Sequence, residues 1–443
     1  MLVGCFAAAI LAGGVLLSLP CSASGKRISL LDAVFTATSA VCVTGLTVCD
    51  TGKEYSTFGH AVILLLIQLG GLGITTLSTA LFMLFGQQAS LSTNDAVEGS
   101  FLARPKGRLK PLLIQVFLWT ITIETIGAAA LLPAELGRLP VLQAVWNAMF
   151  HAVSAFCNAG FSLRSDNLMS ARSSAATILP IAGLIILGGL GFGVLTEITG
   201  NLWNRVRGRQ AIRLSLQAKT VLTTTGLLLL AGTLGFWILE NGNLLHGNNL
   251  SSRFLTSFFA SVTPRTAGFN SIDYGQATTA TIFFTMLLMA IGGAPGSTAG
   301  GIKVTTLAVL FALARGRLHG RRFVNLFGRG IPEMAVDKAF AVVALLTILV
   351  AGGTLLLAAV GFSHMPHVQT PGQPVGLLFE VISALCTVGL STGITPTLAA
   401  GGKIIVILLM FVGRLGPLTI AVAIARQSPA ASVRLAEEPI MIG

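Results

Sequence analysis

Charge is scarce in this chain. Only 10% of its 443 residues are Asp, Glu, Lys or Arg while 53% are hydrophobic, a balance that excludes a soluble globular domain of this size. The mean hydropathy of +0.83 points to a polytopic membrane protein. Cysteine is rare and poorly spaced for chemistry: Cys5, Cys21, Cys42, Cys49, Cys157 and Cys386 form no C-x-x-C pair and have no histidine at ligand spacing. That excludes a disulfide framework and a zinc site, and the cysteines read as small apolar fillers. No H-E-x-x-H and no paired intramembrane aspartates occur, so nothing supports an enzyme. The net charge of +12 does not imply nucleic acid, because Lys and Arg lie in loops between apolar spans rather than on a basic face with stacking aromatics. The first apolar run, Leu2 to Leu19, lacks the basic flank of a signal peptide, and Pro20 before Cys21 argues against a lipid-anchored cysteine. It reads as a first span.

What the chain has is a short motif in four copies. Ser39-Ala-Val-Cys-Val-Thr-Gly45-Leu46, Ser154-Ala-Phe-Cys-Asn-Ala-Gly160-Phe161 and Ser383-Ala-Leu-Cys-Thr-Val-Gly389-Leu390 match closely, and Thr263-Pro-Arg-Thr-Ala-Gly268-Phe269 more loosely. Phe35, Phe150, Phe258 and Phe379 each precede their glycine by ten, and the glycines are 115, 108 and 121 residues apart. Each unit is too long for a solenoid repeat and long enough for a small membrane module. In each, a span is followed by a helix too short to cross, a glycine turn and another span. The expected fold is therefore an all-α polytopic membrane protein with four parallel span–pore helix–span repeats, eight transmembrane helices and four re-entrant loops around one central pore. The repeats occupy residues 1–86, 110–200, 217–318 and 335–427. Two spans per unit make the repeats parallel, whereas inverted-repeat transporters need an odd number. Most Lys and Arg fall on the side opposite the glycine turns, among them Arg104, Arg205, Arg315 and Arg321. That side is the cytoplasm, which leaves both termini inside and the turns facing out.

A dehydrated cation needs a ring of oxygens, and backbone carbonyls provide them without a formal charge that would hold the ion too tightly. Glycine reaches positive φ at no steric cost and so breaks the alternation of carbonyl direction along a strand. Thr44, Gly45, Ala159, Gly160, Ala267, Gly268, Val388 and Gly389 are the candidate selectivity filter, with K⁺ held at their carbonyls as the only metal. Tight turns alone would also use glycine, but would not explain why glycine, phenylalanine and short helix recur together. The second spans carry aligned glycines in Leu69-Gly-Gly-Leu-Gly73, Leu187-Gly-Gly-Leu-Gly191, Ile291-Gly-Gly-Ala-Pro-Gly296 and Val412-Gly-Arg-Leu-Gly416, read as close helix packing beside the pore. Two copies depart from this. The third continues as a glycine-rich stretch that cannot stay helical, and the fourth places Arg414 at the same depth. Gly292, Gly293, Gly296, Ser297, Thr298, Gly300, Gly301, Lys303 and Arg414 are the candidate gate.

These filter turns, the glycine-rich loop and Arg414 resemble the Trk/Ktr/HKT superfamily of potassium transporters, over nearly the whole chain. The chain is most similar to KtrB-type bacterial membrane subunits, since it opens directly with the first repeat. The resemblance implies a homodimer in the bacterial inner membrane with one pore per protomer. It further implies K⁺ uptake stimulated by Na⁺ in some members, and a KtrA-like cytosolic RCK ring carrying ATP or ADP, with no cofactor bound covalently to this chain. The basic stretch Arg315 to Arg329 reads first as a positive-inside signal, and its length and glycines also suit it as an expected docking surface for that ring or for anionic lipid. An Na⁺- or H⁺-coupled potassium symporter is the alternative. Glu124, in mid-span, is expected to brace the filter or to attract cations. Glu197 is expected to be solvated, and Arg265 puts a charge beside the third filter turn.

Overall fold

Several helices in the computed structural model start on a hydroxyl that caps them. The structure describes residues 2–72 and 109–416, except 26, 211–212, 322, 363–365, 367–369 and 371. Among the described residues the chain is mostly helical. In order, α1 (Leu2–Ser18), α2 (Leu30–Val41) and α3 (Thr57–Gly71) are followed by α4 (Leu109–Leu136), α5 (Val141–Phe156), α6 (Ala175–Leu190) and α7 (Phe192–Val206). Next come α8 (Leu216–Glu240), α9 (Leu250–Val262), α10 (Thr279–Ala290) and α11 (Val304–Leu318), then α12 (Glu333–Phe362), α13 (Gln373–Leu385) and α14 (Ala400–Leu415). Ser29, Ser56, Ser215 and Thr278 accept N–H bonds of 3.1, 3.2, 3.1 and 3.3 Å at the starts of α2, α3, α8 and α10, which satisfies donors the helix leaves open.

Among the described residues three runs are long and apolar enough to cross a bilayer: Ile114–Leu136, Leu216–Glu240 and Glu333–Gly361. Their outer faces carry large apolar side chains such as Ile126, Leu227 and Leu355, which are 64, 68 and 71% exposed and are stable only against lipid. The shorter helices α2, α5, α9 and α13 lie inside. Each carries a fully buried phenylalanine, Phe35, Phe150, Phe259 and Phe379. The third differs from the expected Phe258, which is half-buried and stacks on Phe254 with ring centroids 6.3 Å apart. Phe259 and Thr263 keep the four-residue spacing of Phe35 and Ser39, so the third turn is one residue shorter between hydroxyl and glycine than the others.

Helix packing closes a circle. α3 packs on α5, α6 on α9, α10 on α13 and α14 on α2, so each of these helices supports the next short one and the last returns to the first. An ion pair fixes the closure: Lys403 Nζ of α14 lies 2.6 Å from Asp32 Oδ1, at the start of α2.

The structure corrects three expectations. The second span expected in the repeat at residues 110–200 is broken, because α6 ends at Leu190 and α7 leaves Gly191 at a bend of 105°. The all-α fold has one exception among the described residues, an antiparallel two-residue hairpin pairing Asn325–Leu326 with Arg329–Gly330. Glu197 is bonded rather than merely solvated, its carboxylate accepting from Ser215 N and Oγ at 2.5 and 2.7 Å. The ends of the first and fourth repeats, Gly73, and Arg104, Lys106, Arg108, Arg322, His364, His367, Arg426 and Arg434 lie outside the described residues.

Candidate functional site

The four glycine turns meet in one place. Each has two residues at positive φ in the same register: Val43 and Gly45, Asn158 and Gly160, Thr266 and Gly268, Thr387 and Gly389. Alternating the hand of successive residues turns carbonyls toward one side, as an ordinary strand does not. A methyl group on Gly45 would stand 2.5 Å from the Ala159 carbonyl oxygen, and one on Gly160 would stand 2.8 Å from that of Ala267. Methyls on Gly268 and Gly389 would overlap the carbonyl oxygens of Val388 and Thr44. Each turn thus presents the carbonyl before its glycine to the glycine of a neighbouring turn, and the contacts form a closed ring of Thr44, Ala159, Ala267 and Val388. Glycine is required at each of the four positions by φ and by space together.

The short helices hold this ring from behind. Ser39 and Ser383 Oγ accept the N–H of Gly45 and Gly389, both at 3.0 Å, while Ser154 Oγ and Thr263 Oγ1 donate to the carbonyls of Phe161 and Phe269 at 2.8 and 2.7 Å. A second brace lies one turn earlier. Thr36 accepts from Tyr55 OH at 3.0 Å, His151 Nε2 bonds Ser162 Oγ at 2.9 Å, and the fully buried Glu380 accepts from Ser391 Oγ, Thr392 N and Thr395 Oγ1 at 2.5, 3.1 and 2.7 Å. The motif serines were visible in the sequence. These more distant partners were not, since their side chains come from loops with no shared pattern. One mouth of the ring opens into a cavity of about 300 Å³ lined by Gly45, Gly160 and Gly389 and by Asp50, Asp166 and Asp273. Slight burial opposes the charge on Asp166, but hydrogen bonds from Ser170 outweigh it and hold its pKa below the usual carboxylate value. Such carboxylates raise the local cation concentration.

The chain leaves the helix between Ala290 and Val304, closed by a parallel bridge between Ile291 and Ile302. Gly292 N bonds Ile302 O at 2.8 Å, Val304 N bonds Gly293 O at 3.0 Å, and Gly296 and Gly301 have φ of 69° and 62°. Ser297 Oγ donates to Ala294 O at 2.6 Å and Lys303 Nζ to Ala299 O at 2.6 Å. Gly300 packs against the Thr387 hydroxyl. The break at Gly191 gives the loop its seat: Ala294 N and Thr298 N donate to Gly189 O and Gly188 O at 2.8 and 3.3 Å, and Phe192 N donates to Gly296 O at 3.1 Å. Gly191 has φ of 83°, as does Gly416 at the end of α14. The aligned glycines are therefore of two kinds. Gly70, Gly188 and Gly413 pack against the last carbonyls of the short helices at Val41, Phe156 and Leu385, while Gly191 and Gly416 end their helices. Arg414 reaches across, Nη1 donating to Thr298 O at 2.6 Å and Nη2 to Gly70 O. The Gly70 carbonyl, 344 positions away, had no sequence signal as a partner of Arg414.

Glu124 is buried and accepts from Gln68 Nε2 at 3.0 Å; Cys157 Sγ donates to Gln68 Oε1 at 3.3 Å. Cys157 is thus a hydrogen-bonding group as well as the filler expected. Arg265 is buried, and its Nη2 donates to Thr225 Oγ1 at 3.3 Å.

A family model described as "TrkH: Cation transport protein" matches residues 8–434. The chain is 37% identical over 441 residues to the Potassium/sodium uptake protein NtpJ of Enterococcus hirae, covering 98% of this chain and 94% of that one. It is 39% identical over 419 residues to the Ktr system potassium uptake protein B of Bacillus subtilis, covering 94% and 90%. Its fold is similar to the crystal structure of the potassium transporter TrkH from Vibrio parahaemolyticus, with a TM-score of 0.73 at 19% identity over 96% of this chain and 83% of that one. By its sequence over nearly its full length, then, the chain belongs to the TrkH family of cation transport proteins.

Proposed function

We propose that this chain is the pore-forming membrane subunit of a potassium uptake system, built of four repeats and eight spans around one cation path. The observation that carries this is the cyclic ring of carbonyls before Gly45, Gly160, Gly268 and Gly389. It offers neutral oxygens from four directions, which suits a monovalent cation stripped of water. The relatives' names, both potassium uptake proteins, supply the ion. The loop from Gly292 to Lys303 is the gate and Arg414 its latch, holding it closed by charge-assisted bonds and placing a positive charge near the path. The protein works as a homodimer in a bacterial inner membrane, both termini cytoplasmic, under a KtrA-like RCK ring that binds ATP or ADP. Transport of K⁺ into proteoliposomes, with K⁺ and Na⁺ gradients varied independently, tests the reading. Uptake that follows the K⁺ gradient alone is expected for a pore, and no K⁺ flux under any gradient would overturn it. Symport coupled to Na⁺ or H⁺ is favoured by one feature, the buried Glu124, whose carboxylate is held by a neutral amide. In that case, flux would require the second gradient.

A further inference from the structure

The helix that follows the break at Gly191 has a face that the rest of the described chain leaves open. In α7, Leu195, Ile198, Leu202, Trp203 and Val206 fall within an arc of about 140° at helical periodicity, with Glu197, Asn201 and Asn204 on the other side. Leu195 is buried in the core and Ile198 is half-buried, whereas Leu202, Trp203 and Val206 are exposed, so the stripe emerges from the protein and ends uncovered. Arg205 and Arg207 stand at its two edges, and Arg209 and Arg213 follow. All four are exposed, and among the described residues none has a carboxylate within ion-pair distance. Arg207 Cζ lies 4.4 Å from the centre of the Trp203 ring, which holds a cation and an indole together at the open end of the stripe.

Hydrogen bonds fix the depth of this face. Glu197, in the second turn of α7, accepts from the backbone N–H and hydroxyl of Ser215, the cap of α8. The 25 residues of α8 span about 37 Å, more than the hydrocarbon core of a bilayer. At its other end Glu240 accepts from Thr278, close in the chain to Tyr274, which lines the cavity at the mouth of the ring. α7 therefore lies a full span away from that cavity, at the opposite surface of the membrane. The bend of 105° turns it nearly perpendicular to α6, so it runs along that surface rather than on through it. Its other end meets the loop, where Phe192 N donates to Gly296 O at 3.1 Å.

We propose that α7 is a surface helix that docks on anionic phospholipid of the cytoplasmic leaflet and thereby holds the seat of the gate loop. Charge complementarity selects the occupant. Arginines without an anion of the protein's own, at the edges of an apolar stripe that carries tryptophan, match headgroup phosphates above acyl chains. The docking stands on the geometry of α7 alone, while its hold on the loop rests on the gate reading above.

The full chain is reconstituted in phosphatidylcholine vesicles with and without phosphatidylglycerol, with bromine on the acyl chains of one lipid or the other. The emission that Trp203→Phe removes is the Trp203 signal. Docking predicts that brominated phosphatidylglycerol quenches this signal more than brominated phosphatidylcholine does. One charge near an anionic surface is worth about fivefold in partition, so Arg205→Gln, Arg207→Gln and Arg209→Gln together should abolish the excess, and lysine at the same three positions should keep it. Equal quenching by the two lipids, or an excess that survives in the glutamine variant, overturns the docking. So does an absence of quenching by either lipid, which would mean that a protein partner or a second copy of the chain covers the face. The hold on the loop predicts that wild-type K⁺ leak is higher in phosphatidylcholine alone, and that the glutamine variant leaks equally in both kinds of vesicle. Gly191→Ala is the control. If it leaks while lipid charge makes no difference to the wild type, the hold is overturned with the gate reading intact; if it leaks no more than the wild type, the gate reading itself fails, and the hold with it.

Discussion

At the scale of single residues the ring is over-determined. Gly389 has φ of 93° and the Thr44 carbonyl where a side chain would begin, so Gly389→Ala meets both a conformational penalty of about 1–2 kcal/mol and a collision with backbone that cannot rotate away. The expected outcome is a folded protein with a changed K⁺ to Na⁺ uptake ratio, measured by competitive ion uptake; an unchanged ratio would mean that the Thr44 carbonyl is not a ligand. The four glycines were legible in the sequence because the turn is repeated and only one residue type satisfies it. The hydroxyls of Ser39, Ser154 and Ser383 were legible as a pattern, but not as braces of opposite sense, two accepting and one donating. That difference follows from which way a peptide plane faces, and no side-chain identity records it. Phe258 misled for a related reason: its neighbour is also phenylalanine, so losing one residue from the turn left a plausible match in the wrong register.

At the scale of elements, the loop and the helix break that seats it form one unit. A methyl on Gly191 would lie 2.9 Å from the Pro295 carbonyl oxygen, and Gly191 must also hold φ of 83° to turn the chain through 105°. Gly191→Ala should displace the loop and raise ion leak, read as flux in the absence of any regulatory protein. Leak equal to wild type in a correctly folded variant would detach the break from gating. In sequence the break was hidden, since Gly188-Gly-Leu-Gly191 satisfies a close-packing motif equally well and its last glycine differs only in backbone hand. The closure of the circle was hidden too, because Lys403 and Asp32 are 371 positions apart. Their side chains are 17 and 21% exposed, so the pair is only partly screened. Lys403→Met should destabilise the protein by about 1–2 kcal/mol, and Asp32→Asn added to it should cost little more, because the pair is already broken. Thermal melts of the two single variants and the double variant check this; additive losses would show that the pair contributes nothing.

At the scale of the whole molecule, the ring and the loop are joined in one chain to a basic surface stretch. The basic stretch from Arg315 to Arg329 begins in the last turn of α11, the helix that leaves the loop, so under the proposed gating a partner bound there would pull on the loop directly. Reversing the charge of Arg321 and Arg322 should weaken binding of a cytosolic ring and flatten its salt dependence. Unchanged binding across a salt series would leave the stretch a purely topological signal. On the proposed function, selection and gating reside in different parts of the same path, and comparison of Gly45→Ser with Arg414→Gln separates the two. A charge-assisted hydrogen bond of about 1.5–3 kcal/mol biases a two-state loop about tenfold or more. With K⁺ and Na⁺ flux measured for both variants in the same proteoliposomes, Arg414→Gln should raise flux of both ions about tenfold at an unchanged ratio, and Gly45→Ser should change the ratio. If Arg414→Gln leaves flux at or below wild type while folded, or if it shifts the ratio as strongly as Gly45→Ser, the division into filter and gate is contradicted.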